Sequence, residues 1–591
     1  MNEKYTAKHS AGYSRKSILM LALLAAAALV LVILAIVVFT SDAPEEPEAL
    51  PEVTEEAAAA APEVSGTLER PEEPALPEEP VITYSNFEPH AAQSTEPSAH
   101  ITETAVQVGE ETVENYSASD VITFGLPGDY AKIDGLLTFR GDNFRSGSSV
   151  GFAEDMETKT FGESWSSPVS TLVAPDGNVW TGCGWTGQPL IVNWPKETRA
   201  IMNMYDWAKE AEELVEVIYP TMDGHIYFME LETGEPTRET LDMGYTFKGA
   251  GSIDPRGYPV LYVGAGYRSM NGEGRVFAIS LIDFEILFTF GNADEFELRD
   301  WPCFDAAPLV DSETDQLIYA GENGILYIVK LNSNYDEAAG TLTMSPEFTR
   351  WRYNTDRANL FSYWLGMEAS PVIWQGHLIM PDNGGFLMCL DLETLTLDWV
   401  LDILDDTNAS PVLEIEDGHP YIYIAPSFHL GWQSFNTLDV PFYKIDAETG
   451  EIVWQISYEC YSEEGVSGGV QGTCAVGKYN LADYVFVPYA RAEAPEGGIL
   501  AAVNKKTGEI AWECRTNSYT WCSPTIVYDA NGDGYLLFST LLGTLCLVDG
   551  QTGEILDSFD LQSHAEATIA AYGSNIIVGT RTNCIYGIKL Q

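Results

Sequence analysis

From about residue 130 onward the chain consists of short apolar, β-branched and aromatic runs broken by Gly, Asn, Asp and Pro. The runs lack helical spacing, so they read as strands joined by turns. They recur in units that end on one phrase. It is clearest at Ile445-Asp-Ala-Glu-Thr-Gly-Glu-Ile-Val-Trp454, and it returns at Asn504-Lys-Lys-Thr-Gly-Glu-Ile-Ala-Trp512 and Asp549-Gly-Gln-Thr-Gly-Glu-Ile-Leu556. Weaker copies are Glu230-Leu-Glu-Thr-Gly-Glu235 and Asp391-Leu-Glu-Thr-Leu-Thr-Leu-Asp-Trp399. A strand enters a Thr-Gly turn, glycine takes the positive φ, and an apolar strand leaves. Strand-only repeats at a period of roughly 40–60 residues predict a β-propeller.

Eight units follow, each opening on small residues: Gly187-Gln-Pro-Leu-Ile191, Gly249-Ala-Gly-Ser-Ile253, Ala306-Ala-Pro-Leu-Val310, Ala369-Ser-Pro-Val-Ile373, Ala409-Ser-Pro-Val-Leu413, Gly472-Thr-Cys-Ala-Val476, Cys522-Ser-Pro-Thr-Ile526 and Ala567-Thr-Ile-Ala-Ala571. Small residues suit the innermost strand of a blade, which crowds the axis. The eighth unit stops at Gln591 after three strands, leaving an open edge. The segment Thr158-Lys-Thr-Phe-Gly-Glu-Ser-Trp165 is expected to fill it. The expected fold is therefore all-β: an eight-bladed propeller closed by an N-terminal strand and preceded by one transmembrane helix and a disordered stalk.

That helix is read from Ile18–Phe39, 22 apolar residues that reach roughly 33 Å as a helix, enough for one bilayer crossing. Lys4, Lys8, Arg15 and Lys16 precede it and Asp42, Glu45 and Glu46 follow, which places residues 1–17 in the cytoplasm and the rest outside. Pro44 disfavours cleavage after Ala43, so an uncleaved signal anchor is expected. Residues 40–120 are rich in Glu, Pro and Ala and read as an extended acidic stalk, with the propeller over 121–591. The net charge of −58 excludes nucleic acid as a partner. Nine cysteines stand singly and their odd number leaves at least one thiol unpaired.

The units resemble the PQQ-binding-like β-propeller repeats over about residues 130–591. That superfamily includes quinoprotein alcohol dehydrogenases and the propeller lipoprotein of the outer-membrane β-barrel assembly machine. The repeat phrases carry the resemblance, with Leu137-Thr-Phe-Arg-Gly-Asp-Asn-Phe-Arg145 and Thr181-Gly-Cys-Gly-Trp-Thr-Gly-Gln-Pro189, which look like segments of exported, membrane-anchored propellers of Gram-positive bacteria. The resemblance implies that Trp399, Trp454 and Trp512 are structural, packing between blades. The adjacent cysteine pair and the haem-attachment Cys-x-x-Cys-His of the quinoprotein enzymes do not occur.

One residue precedes the small opening of each unit: Thr186, Lys248, Asp305, Glu368, Asn408, Gln471, Trp521 and Glu566. Seven of the eight are polar or charged, at a position expected to face the mouth of the central channel. Asp305, Glu368 and Asn408 come from consecutive units. Oxygen ligands of this kind suit Ca²⁺, and the resemblance implies an Asp, Glu and Asn set for metal and base. A solvated rim accounts for the same residues without a ligand. Asp529, Asn531 and Asp533 match the first half of a calcium loop, yet the twelfth position is Thr540, so a plain Asn/Asp-Gly turn competes. The histidines are isolated, and no hydrolase triad or phosphate loop can be argued.

The expectation is a single-pass, membrane-anchored extracytoplasmic propeller. It acts as a non-catalytic binding or scaffold module for a protein or a cell-wall polymer, without a cofactor, and the aromatics of loops 195–213, 427–441 and 459–469 serve as anchors. The alternative is a PQQ- and Ca²⁺-dependent dehydrogenase that uses the channel.

Overall fold

The computed structural model describes residues 86–591, with 77 and 82–84, apart from 155, 185–186, 267–269, 358–363, 430–435 and 583. The expected cytoplasmic tail, the span 18–39 and most of the stalk lie outside the described residues. Among the described residues no helix is long and apolar enough to cross a membrane.

Eight antiparallel sheets succeed one another as the blades of a propeller. Their innermost strands are Leu190–Asn193, Ser252–Ile253, Leu309–Asp311, Val372–Trp374, Val412–Glu416, Ala475–Val476, Thr525–Tyr528 and Ala570–Tyr572, each in or just after a small-residue opening. The openings are small because neighbouring blades touch there. A Cβ on Gly249 of the second blade would lie 1.8 Å from the carbonyl oxygen of Asp305 in the third.

The repeat phrase ties each blade to the next. Gly450 takes φ +71° in its turn, and a Cβ there would lie 2.7 Å from the Trp399 ring of the preceding blade. The Trp399 indole N–H donates to Ala447 O at 2.9 Å, Trp454 to Lys505 O at 2.9 Å and Trp512 to Gly550 O at 3.1 Å. Each tryptophan thus reaches from one blade's outer strand to the turn of the following one.

The last blade is closed by the N-terminal strand Phe161–Pro168, which pairs antiparallel with Cys584–Leu590. Trp165 of that strand repeats the inter-blade contact, donating to Leu231 O of the first blade at 3.0 Å.

The segment 135–150 fills the centre of the ring and bonds to every blade. Leu136 pairs with Ile191 of the first blade, and Ile253 N–H of the second donates to Leu137 O at 2.8 Å. Arg145 donates to Ala307 O at 2.9 Å and Pro371 O at 3.0 Å, in the third and fourth. Leu413 N–H of the fifth donates to Phe144 O at 3.0 Å. Arg140 donates to Cys474 O at 2.9 Å and Pro524 O at 2.6 Å, in the sixth and seventh. Val150 N–H donates to Ala571 O of the eighth at 3.0 Å. Both guanidinium groups are fully buried, and burial lowers each pKa to about 10.

Two expectations need correction. The stalk does not run to residue 120. Ile101–Val108 pairs with Glu347–Thr355 as an added outer strand of the third blade, and Glu111–Val113 pairs back on it. Phe87 is buried and packs at a tilt against Trp374, with ring centroids 5.0 Å apart. Polar composition hid this strand, which needs only Val106 to be buried. The expected loops 427–441 and 459–469 are partly strand: Thr437–Asp446 and Ile452–Tyr461 form one long hairpin. Loop 195–213 carries two short helices, Lys196–Ile201 and Asp206–Glu210, with Tyr205 and Trp207 partly exposed. Eight of the nine cysteines are buried, and Cys584 is partly exposed.

Candidate functional site: a blind axial pocket

The openings bring Lys248, Glu368, Asn408, Gln471 and Trp521 to the wall of one cavity of about 280 Å³. Beneath it lies a smaller space of about 10 Å³ that shares Glu368 and Asn408 and adds Asp305 and Phe139. Phe139 belongs to the central segment and packs with Ala250 and Ala307. The central segment therefore lies under the cavity, at the end where Glu368 and Asn408 are shared with the smaller space. Glu566 does not line it and pairs with Arg581 at 2.9 Å. Thr186 lies outside the described residues.

Alignment of the openings missed nine of the fourteen wall residues, among them Arg299, Trp301, Glu322, Trp364, Asn383, Asp406 and His429. Glu322 and Asn383 sit in the turns between second and third strands, at Glu322-Asn323-Gly324 and Asp382-Asn383-Gly384. A repeated acidic-Asn-Gly turn in successive blades was the available signal.

Lys248 is buried and its ammonium bonds to Asp305, with Glu368 at 3.8 Å. Burial pulls its pKa down, but the Asp305 and Glu368 charges outweigh that and raise it well above the usual lysine value. Asn408 donates its amide to Glu368 at 2.8 Å, and Asn383 donates to Asp406 at 2.7 Å. Arg299 donates to Glu322 O at 3.1 Å, Leu365 O at 2.9 Å and Asn383 Oδ1 at 2.9 Å, and its head lies 5.1 Å over the Trp301 ring. Burial pushes Glu322 up to about 7, with the Asp305 and Asp406 charges adding to it against Arg299, and pushes Glu368 well above the ordinary carboxylate range, with the Glu322 and Asp305 charges adding to it. Asp406 is raised for the same first reason.

Carboxylate oxygens of Asp305, Glu322 and Glu368 lie within 4.8 Å of one another, as metal ligands do. The set does not fit Ca²⁺. Lys248 already supplies the cation among them, and Asn408 turns a donor toward Glu368, whereas calcium takes roughly six to eight oxygens. Nor does it fit PQQ, itself a polycarboxylate, because among the described residues four carboxylates face two cations here.

The Asp529 carboxylate accepts the backbone N–H of Asn531 at 2.8 Å and of Asp533 at 3.0 Å, while Asp533 accepts from Asn480 at 3.0 Å. These oxygens serve a turn and its neighbour.

Raised carboxyl pKa values carry a stability cost at neutral pH. Asp382, beside the pocket, accepts from Phe386 N–H and Tyr353 O–H, but burial outweighs both and lifts it from 3.8 to about 7. A raised acid binds its proton more tightly when folded. Its contribution is therefore complete below 3.8 and is lost as pH climbs through about 7. Asp223, Asp315 and Glu513, which are lowered, act only at more acid pH. The expected result is a melting temperature that falls from pH 5 to pH 8. Asp382 alone accounts for on the order of 3 kcal/mol at about 1.4 kcal/mol per pKa unit, and Asp382→Asn flattens the slope. A melting temperature that rises over this window contradicts the assignment.

No protein-family model matches the chain, and no curated protein matches it in sequence. Solved structures do match in fold. The quinohemoprotein alcohol dehydrogenase of Comamonas testosteroni aligns with TM-score 0.50 and 13% identity over 78% of this chain and 81% of that one. The quinohemoprotein alcohol dehydrogenase ADHIIG of Pseudomonas putida HK5 gives TM-score 0.50 and 12% identity over 77% and 80%. BamB of Moraxella catarrhalis gives TM-score 0.31 and 12% identity over 63% and 93%. At such identities the likeness is one of architecture: this chain is an eight-bladed β-propeller similar in fold to the quinohemoprotein alcohol dehydrogenases.

Proposed function

We propose that the protein is a membrane-anchored, extracytoplasmic propeller that binds a protein or cell-wall polymer through its axial pocket and does not catalyse a reaction. The observation that carries this reading is the Lys248 ammonium among Asp305 and Glu368, where a quinoprotein-like set would hold its metal. The central segment beneath the cavity and the tryptophan walls support recognition of an inserted group. The apolar run 18–39 with its basic N-terminal flank supports single-pass anchoring, and the Glu- and Pro-rich stretch after it supports a spacer.

Ser467 lines the pocket and bears no charge. Ser467→Trp narrows the cavity and replaces no member of the ion pairs. Full-length protein in detergent is expected to co-sediment with envelope fragments of the producing cell, and Ser467→Trp to bind them at least tenfold less. Unchanged binding by that variant removes the pocket from the function. Dye reduction with an alcohol, after addition of quinone and Ca²⁺, overturns the non-catalytic reading.

A further inference from the structure

Among the described residues the pocket's charges do not balance. Asp305, Glu322, Glu368 and Asp406 face Lys248 and Arg299. Lys248 is committed to Asp305, and Arg299 to Glu322 O, Leu365 O and Asn383, with Glu322 Oε1 at 3.5 Å. Glu368 and Asp406 keep an amide each as their nearest donor, at 2.8 and 2.7 Å. Asp305 is only 6% exposed, and its Oδ1 has no hydrogen-bond partner. An unpaired buried carboxylate oxygen is costly. The excess of carboxylates over cations beside it favours a ligand that brings positive charge as well as N–H donors.

We propose that the axial pocket recognises an organic cation, a primary ammonium on a flexible aliphatic stem, with the ammonium donating to Glu368 and Asp406 and the stem lying along Trp364 and Trp521. This names the ligand class of the binding site proposed above and rests on that reading. N–H donors match carboxylates that now accept only from amides. Aromatic walls favour a cation on a carbon chain over a hydrated metal ion. A lysine side chain presented by a protein or by a peptide-bearing polymer has this chemistry.

Protonation supports the same ligand. With the pocket empty, burial leaves Glu368 and Asp406 holding protons more readily than usual, beside Glu322 at about 7. The other charged groups facing them, Lys248, Arg299 and Asp305, remain paired, and His429 stands against Trp364 at 5.7 Å. An entering ammonium displaces a proton, so affinity rises with pH through neutrality, by about tenfold per unit for one proton released.

The test is calorimetric titration of the full-length protein in detergent with Nα-acetyl-lysine methylamide and with its Nε-acetylated, uncharged counterpart. The charged probe is expected to bind at least tenfold tighter, to bind about tenfold tighter at pH 7 than at pH 6, and to lose at least tenfold in Glu368→Gln and in Asp406→Asn. Two variants guard against misfolding of one, and melting curves report on both. Equal binding of the two probes, tighter binding of glucose, or indifference to both substitutions overturns the proposal. If neither probe binds while Ser467→Trp still abolishes envelope binding, the ligand class is wrong and the pocket reading survives. If Ser467→Trp is silent as well, both fall.

Discussion

Arg145→Met is expected to lower the unfolding free energy of the full-length protein by on the order of 5 kcal/mol, a large part of what holds a typical domain together. The Arg145 head is wholly buried and donates to Pro371 O, Ala307 O, Phe139 O and Thr138 Oγ1. Methionine has similar length and no donor, so several buried acceptors lose their partner at about 1–3 kcal/mol each. Removing the charge returns part of the desolvation cost, which keeps the expectation below the full sum. Lysine does not rescue, because a point charge with three donors cannot reach acceptors spread over two blades. The comparison is Arg515→Met. Arg515 is 48% exposed and bonds only to Glu493 and Glu513, so its loss should cost under about 1 kcal/mol. Urea midpoints of the two variants decide the matter. If Arg145→Met unfolds where Arg515→Met does, the central segment is a passenger rather than the hub of the ring.

The contrast between hub and blades also explains what could be read from the residues alone. The eight units were legible because the chemistry of each is local. The Thr-Gly turn and the tryptophan that meets it lie within about 50 residues, as Trp399 and Ala447 do. The closing strand was legible as a need, since three strands in the last unit leave an edge that something must cover. The role of Leu137–Arg145 was not legible. Its donors meet carbonyls 162 to 384 residues away, and nothing in a stretch of nine residues shows which eight sheets surround it. The pocket was partly legible for the same reason. Alignment of the openings found Lys248, Glu368, Asn408, Gln471 and Trp521, all at one register position. Arg299, Asp406 and His429 enter from elsewhere in their blades. Lys248 was visible as a rim residue, but its position among the carboxylates, which decides against calcium, depends on the closure of the second blade against the third.

Ending the chain at residue 583 is expected to abolish the cooperative fold, although it removes eight residues of 591. The missing strand, Cys584–Leu590, lies between Asn575–Gly579 and the N-terminal Phe161–Pro168, so its loss opens two sheet edges at once. Ile585, Ile588 and Leu590 are buried to 2% or less, worth about 1.5–3 kcal/mol each in lost burial. The backbone ladders on both sides go with them. A ring amplifies the damage, because Trp165 on the orphaned strand also holds Leu231 of the first blade. The same number of residues lost from the added outer strand behaves differently. Ile101–Val108 extends the third blade outward and touches no closure. A chain from which residues 101–108 alone are deleted should therefore keep one cooperative transition within a few degrees of the full-length protein, whereas the chain ending at 583 shows none and elutes as aggregate. A truncated chain that melts like the intact one means that the wheel is held shut elsewhere than at its two chain ends.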